Sequence, residues 1–134
     1  IAEPNFIKAT KQSNPVVLIA EDDLSNIQFI KAVLNKTAIT LQVAYTGTEA
    51  VDICREHPEI SLVFMDLKMP EMDGLEATRK IKSFRKNLPI IALTAYAMNG
   101  DETRAYMAGC DAYLAKPVNR ESLFEKLKQY GIPF

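Results

Sequence analysis

The sequence predicts an α/β domain in which five parallel strands alternate with five helices, and three features carry that prediction. Apolar runs without alternation recur: Val16-Val17-Leu18-Ile19-Ala20, Leu62-Val63-Phe64-Met65 and Ile90-Ile91-Ala92-Leu93. Such runs suit strands covered on both faces, as in a parallel sheet flanked by helices. Between them lie stretches whose apolar residues return at helical spacing, several opened by capping signatures. The links are short, and short strand–helix alternation implies a parallel sheet with right-handed crossovers.

Residues 1–14, with Pro4 among scattered polar groups, form a linker or loosely docked arm, and 15–134 form the folded domain. The first strand, 16–20, breaks into Glu21-Asp22-Asp23, and Asp23 is the N-cap of a helix from Leu24 to about Lys36. Leu24, Ile27, Ile30 and Leu34 mark its buried stripe. Leu41 to Tyr45 alternates in part, which suits a strand nearer an edge. Thr46-Gly47-Thr48-Glu49 reads as a capping box for a helix that stops at about His57, before Pro58. The run at 62–65 ends where Asp66 begins, and a loop punctuated by Pro70 and Gly74 follows. Asp73 to Glu76 caps a helix that reaches about Arg85. Pro89 leads into the strand Ile90 to Thr94. Asn99 caps a helix from Gly100 to Ala108, with Glu102 in its first turn and Gly109 as terminator. Asp111 to Ala115 is a short fifth strand ending in Lys116-Pro117. The last helix carries Leu123, Phe124, Leu127 and Tyr130 on one face.

At 134 residues the chain is one domain's worth, able to bury a core without metal or disulfide staples. A formal net charge of −1 supplies no field to attract nucleic acid or an anionic membrane. No apolar run approaches the roughly 20 residues a membrane helix needs. The start is polar with no signal-peptide core, and since it begins on Ile1 the chain is expected to be excised or processed from something longer. Cys54 and Cys110 lie far apart in helical patterns, so buried thiols in a reducing cytoplasm are expected. His57 has no second histidine with which to build a metal site or relay.

The chemistry gathers where strands stop. The first delivers Glu21 and Asp22, the third Asp66, the fourth Thr94 and the fifth Lys116. Parallel strands align their carboxyl ends, which is where open α/β sheets bind ligands, so these side chains should converge. One acid after a strand is an ordinary surface residue. Three acids, a hydroxyl and an ammonium in that position call for a chemical reason. Clustered carboxylates repel, and one lysine cannot balance three of them. A hard divalent cation held by oxygen can, and magnesium uses few protein carboxylates plus water and phosphate. The set fits an Mg²⁺-assisted phosphoryl site: Asp66 as acceptor, Asp22 as metal ligand, Lys116 against phosphate charge, and Thr94 donating to a phosphoryl oxygen.

These same residues resemble the response-regulator receiver domains of two-component signalling. The acidic pair Glu21-Asp22, Met65-Asp66-Leu67-Lys68-Met69-Pro70, Met72-Asp73-Gly74, Leu93-Thr94-Ala95, Ala108-Gly109 before Tyr113, and Lys116-Pro117 occur in the family's order over about residues 15–130. The resemblance implies a flavodoxin-like three-layer (βα)5 sandwich of strand order 2-1-3-4-5. It implies phosphorylation of Asp66 by a partner phosphohistidine, on a histidine kinase or a histidine phosphotransfer domain. It further implies Mg²⁺ on Asp22, Asp66 and the backbone carbonyl of Lys68, with Glu21 acting through a bound water, and a cis peptide before Pro117. The stretch from Met65 to Thr78 is most similar to receivers of hybrid sensor kinases, with a stand-alone regulator as the alternative origin.

Phosphorylation is expected to draw Thr94 toward Asp66 and to let Tyr113 fill the space it vacates. Lys68 and Tyr96 would flank the path of hydrolytic water and slow self-dephosphorylation. The first helix, with Phe29 and Ile30, and the last helix would dock the phosphodonor. A homodimer could form through the helix 99–108 and strand 112–115 face. The competing class, a magnesium-dependent aspartyl-nucleophile phosphatase, usually keeps a second acid two residues past the nucleophile, where this chain has Lys68. No glycine-rich loop follows a strand to cradle a nucleotide.

Overall fold

The computed structural model describes residues 14–95 and 100–134. Its strands are β1 (Val16–Ala20), β2 (Thr40–Ala44), β3 (Ile60–Asp66), β4 (Ile90–Thr94) and β5 (Ala112–Ala115). The helices are α1 (Leu24–Leu34), α2 (Gly47–Glu56), α3 (Gly74–Phe84), α4 (Glu102–Ala108) and α5 (Arg120–Gln129). All pairings are parallel, in the order β2-β1-β3-β4-β5. This is the flavodoxin-like arrangement.

Three layers follow from the two-residue period of buried strands. Leu18, Val63, Met65 and Ala92 face one side, under Ala50, Val51 and Cys54 of α2, Ala77 and Ile81 of α3 and Ala105 of α4. Val17, Ile19, Leu62, Phe64 and Ile91 face the other, under Ile30, Val33 and Leu34 of α1 and Leu123 and Leu127 of α5. Both faces of β1, β3 and β4 are therefore apolar, and that is why their sequences do not alternate. Each large side chain so buried contributes about 1.5–3 kcal/mol.

The caps explain where helices start. Asp23 accepts the Ser25 amide at 2.9 Å, Thr46 the Glu49 amide at 3.0 Å, and Asp73 the Glu76 amide at 2.9 Å. His57 stands at the C-cap of α2, and Gly109 ends α4 with φ 113°, a left-handed conformation that glycine adopts without a Cβ penalty.

Several boundaries differ from those read in the sequence. β3 starts at Ile60 and Asp66 is its last residue. The edge strand β2 begins one residue early, since half-buried residues mark the ends of a strand poorly. α1 stops at Leu34, where the Thr37 hydroxyl caps the Leu34 carbonyl at 2.6 Å. Leu24, expected in the buried stripe, is 63% exposed because the first turn of α1 lies beyond the end of β1. α4 begins at Glu102; Asn99, its expected cap, lies outside the described residues, as does the arm at 1–13.

Candidate functional site

The strand order reverses between β1 and β3: the chain goes from β1 outward to β2, then returns to β3 and continues the other way. The carboxyl ends of β1 and β3 thus frame a crevice at the topological switch point. Register completes it. Ala20 pairs with Met65, Asp66 with Leu93 and Thr94 with Ala115. Glu21, Asp66, Thr94 and Lys116 consequently reach one edge together, as the sequence predicts.

Carboxylate oxygens of Glu21, Asp22 and Asp66 lie within 4.8 Å of one another. Lys116 Nζ stands between two of them, 3.1 Å from Asp66 Oδ2 and 3.1 Å from Glu21 Oε1. The peptide linking Lys116 to Pro117 is cis, as the resemblance implied. The Lys68 amide donates to Asp66 Oδ1 at 3.1 Å, so backbone and ammonium hold the carboxylate from two directions. Glu21 is fully buried, and its oxygens also accept from the Asp23 amide at 3.2 Å and Asn26 Nδ2 at 3.3 Å. Asp22 is exposed to solvent beside them.

Burial raises the Glu21 carboxyl above the usual range, and the neighbouring Asp66 raises it further against the opposing pull of Lys116. Burial alone would lower the Lys116 ammonium, but the two carboxylates outweigh it and raise it. Three acids against one lysine leave an excess of negative charge. The fit to a hard cation is good: all-oxygen donors, one side open to water, and no nitrogen or sulfur donor among them.

Thr94 is buried, and its hydroxyl donates to Asp101 Oδ2 at 3.0 Å. A cavity of about 100 Å³ is lined by Asp66, Lys68, Thr94, Asp101 and Lys116, among others. Tyr113, half-buried, packs edge-on to Tyr106 with ring centroids 6.2 Å apart, and the nearby charge of Glu102 holds its phenol above the ordinary range. Lys68 is exposed at the cavity mouth, and Tyr96 lies outside the described residues. Phe29 is 41% exposed on α1 whereas Ile30 is core, so only the former can meet a partner.

Three residues were missed in the sequence. Asn26 and Asp101 act through partners that only the fold supplies. A Cβ on Gly47 would come within 2.1 Å of the Met72 carbonyl oxygen, so the start of α2 braces the loop after Asp66. Gly74 is likewise pressed against the Asp66 carbonyl, at 2.1 Å from where its Cβ would stand.

A doubly wound parallel sheet with an acidic cluster at its switch point and a lysine among the acids defines the class of small flavodoxin-like domains with an acidic site at the carboxyl edge of the sheet. The response regulator receiver domain family matches residues 17–128. The polar-differentiation response regulator DivK of Brucella ovis is 36% identical over 116 residues, covering 85% of this chain and 94% of DivK. The co-crystal structure of the Saccharomyces cerevisiae histidine phosphotransfer signaling protein Ypd1 and the receiver domain of its downstream response regulator Ssk1 matches with TM-score 0.81 at 36% identity, covering 87% of this chain and 88% of that one. The receiver domain of sensor histidine kinase PA1611 from Pseudomonas aeruginosa PAO1, with magnesium coordinated in its active-site cleft, matches with TM-score 0.80 at 34% identity, covering 87% and 97%. The chain belongs to the response regulator receiver family.

Proposed function

We propose that residues 15–134 accept a phosphoryl group on Asp66 from a phosphohistidine donor and change conformation in response. The carrying observation is the setting of Asp66: last residue of the central strand, held by the Lys68 amide and Lys116, with Glu21 and Asp22 within ligand range. A carboxylate oxygen attacks phosphorus in line with the donor nitrogen. The P–O bond forms as the P–N bond breaks, and the electron pair stays on the imidazole. Because this reaction is mostly positioning and charge neutralisation, the fixed carboxylate and Lys116 do the protein's part.

Magnesium, held by Asp22, Asp66 and the Lys68 carbonyl, would neutralise charge on the phosphoryl oxygens. Glu21 supports that site indirectly, since both its oxygens already accept from Asp23, Asn26 and Lys116, which suits a role through water. The cleft-bound magnesium of the PA1611 receiver supports the same assignment. Thr94 then donates to a phosphoryl oxygen and Tyr113 follows.

The donor is a histidine kinase or a histidine phosphotransfer domain, as the pairing of Ssk1 with Ypd1 supports. It docks on α1, where Leu24 and Phe29 are exposed beside the acidic edge. The face of α4 and β5, with Met107 80% exposed and Tyr106 beside it, is the site for self-association. Among the described residues no helix is long and apolar enough to cross a membrane. A hybrid sensor kinase is the parent that the PA1611 receiver suggests, and a stand-alone regulator is the reading DivK suggests. The test is incubation with acetyl phosphate and Mg²⁺, with intact mass and site mapping: one phosphoryl on Asp66 in the native chain and none in a folded Asp66→Asn variant. Full labelling of that variant overturns the assignment.

A further inference from the structure

Asp101 precedes α4 in the sequence position of an N-cap, yet it makes no capping hydrogen bond and sits at helical φ/ψ. Its side chain is spent elsewhere. One oxygen accepts the Thr94 hydroxyl at 3.0 Å and the other is paired to Arg104. Asp101 is 8% exposed and lines the same small cavity as Asp66 and Lys116. A buried carboxylate that accepts a hydroxyl forms a charge-assisted hydrogen bond, stronger than one between neutral groups.

Resting on the phosphoacceptor reading, we propose that Asp101 is a latch on the switch, a positioning residue that competes with the phosphoryl group for the Thr94 hydroxyl. Thr94 has one proton to donate. While that proton points at Asp101 the hydroxyl is held on the α4 side of the cavity, and donation to phosphate requires the Asp101 bond to break. Two features make the exchange workable. A dianionic phosphoryl group on Asp66 repels a carboxylate lining the same cavity, which loosens the latch only after phosphorylation. Arg104 stays paired to Asp101 when Thr94 leaves, so the released carboxylate is not left buried without a counter-charge. The latch thereby joins the acceptor to the first turn of α4, and its strength sets how much of the active population exists before phosphorylation.

Beryllofluoride with Mg²⁺, a phosphoryl mimic, tests this when titrated against the full chain, with the midpoint read from the Lys68 amide, which donates to Asp66, and the switch read from the amide shifts of β4 and β5. Replacing the acceptor in Asp101→Ala is expected to lower the beryllofluoride midpoint by about tenfold, the size of one hydrogen bond to a charged group. It should also move the amide shifts of the free protein toward their activated positions. Asp101→Asn, which keeps the shape but not the charge, should fall between. In a Thr94→Ala background, where nothing is latched, Asp101→Ala should leave the midpoint unmoved. An unchanged midpoint in both Asp101 variants overturns the latch, as does an equal shift with and without Thr94. A wild-type chain that takes up neither phosphate nor beryllofluoride instead overturns the phosphoacceptor reading itself, which separates the two failures.

Discussion

At the scale of single residues, the site divides between groups that hold Asp66 and groups that respond to it. On the proposed reading Thr94 belongs to the second set, since its hydroxyl donates to Asp101. Thr94→Ala is therefore expected to accept phosphate from acetyl phosphate to the wild-type level by intact mass, while the amide shifts of β5 and α4 stay unchanged on beryllofluoride addition. Normal shifts in that variant would remove Thr94 from the switch. The cysteines carry a separate expectation. Burial pushes the Cys54 thiol up to about 11, with Arg85 pulling weakly the other way, and burial raises Cys110 as well. Near pH 7.5 the reactive thiolate is a negligible fraction of either, and both side chains are core. A thiol reagent such as DTNB should leave the native domain unmodified over times in which the urea-unfolded chain reacts at both sites. Rapid native reaction at Cys54 would show that α2 opens, and at Cys110, which lies past the end of α4 and not within a helix, that the turn leading into β5 opens.

At the scale of elements, the loop between β3 and α3 is shaped from outside itself. The start of α2 is close enough that a Cβ on Gly47 would overlap the Met72 carbonyl, a backbone atom that cannot rotate aside. Gly47→Ala should cost about 1–3 kcal/mol as an overpacked contact, read from urea unfolding, and should weaken Mg²⁺ binding because the displaced loop carries Lys68. Thr46→Ala, which removes only the cap of the same helix, should cost about 1 kcal/mol and leave Mg²⁺ affinity as it was. The contrast separates loop position from helix stability. These elements also show what a sequence can and cannot reveal. β1 ended with its apolar run and β4 one residue later, at Thr94, because a strand buried on both faces carries polar side chains only at the edge of the sheet. That single property also placed Glu21, Asp66 and Thr94 at one edge. Asp101 was hidden: Asn99, Gly100 and Asp101 are all residue types that begin helices, and its partner Thr94 is supplied by tertiary packing. Gly47 was read as part of a capping box because the Met72 carbonyl it touches lies 25 residues on, in the loop that follows β3, beyond any local pattern.

At the scale of the whole molecule, the acidic edge is a tension that the rest of the fold must hold. Two large apolar layers fix the strand register, and the register forces Glu21, Asp22 and Asp66 within 4.8 Å whether or not a cation is present. Like charges at that spacing oppose folding, and Lys116 offsets only part of the repulsion. In the unfolded chain Asp66 is tens of residues from the adjacent Glu21 and Asp22, and the three offer no site. A cation that binds only the folded arrangement therefore stabilises it by mass action, by about 2.7 kcal/mol at a hundred times its dissociation constant. For a domain of this size that corresponds to a rise in Tm of roughly 5–10 °C. Mg²⁺ is expected to raise the Tm in a saturable way, with NaCl at matched ionic strength giving a much smaller and unsaturable change. Asp22→Asn removes one repelling charge and one ligand at once, so it should melt higher than wild type without metal and gain little when Mg²⁺ is added. A variant that still gained the full increment would show that the ion sits elsewhere, and a wild type that gained none would separate the acidic edge from magnesium altogether.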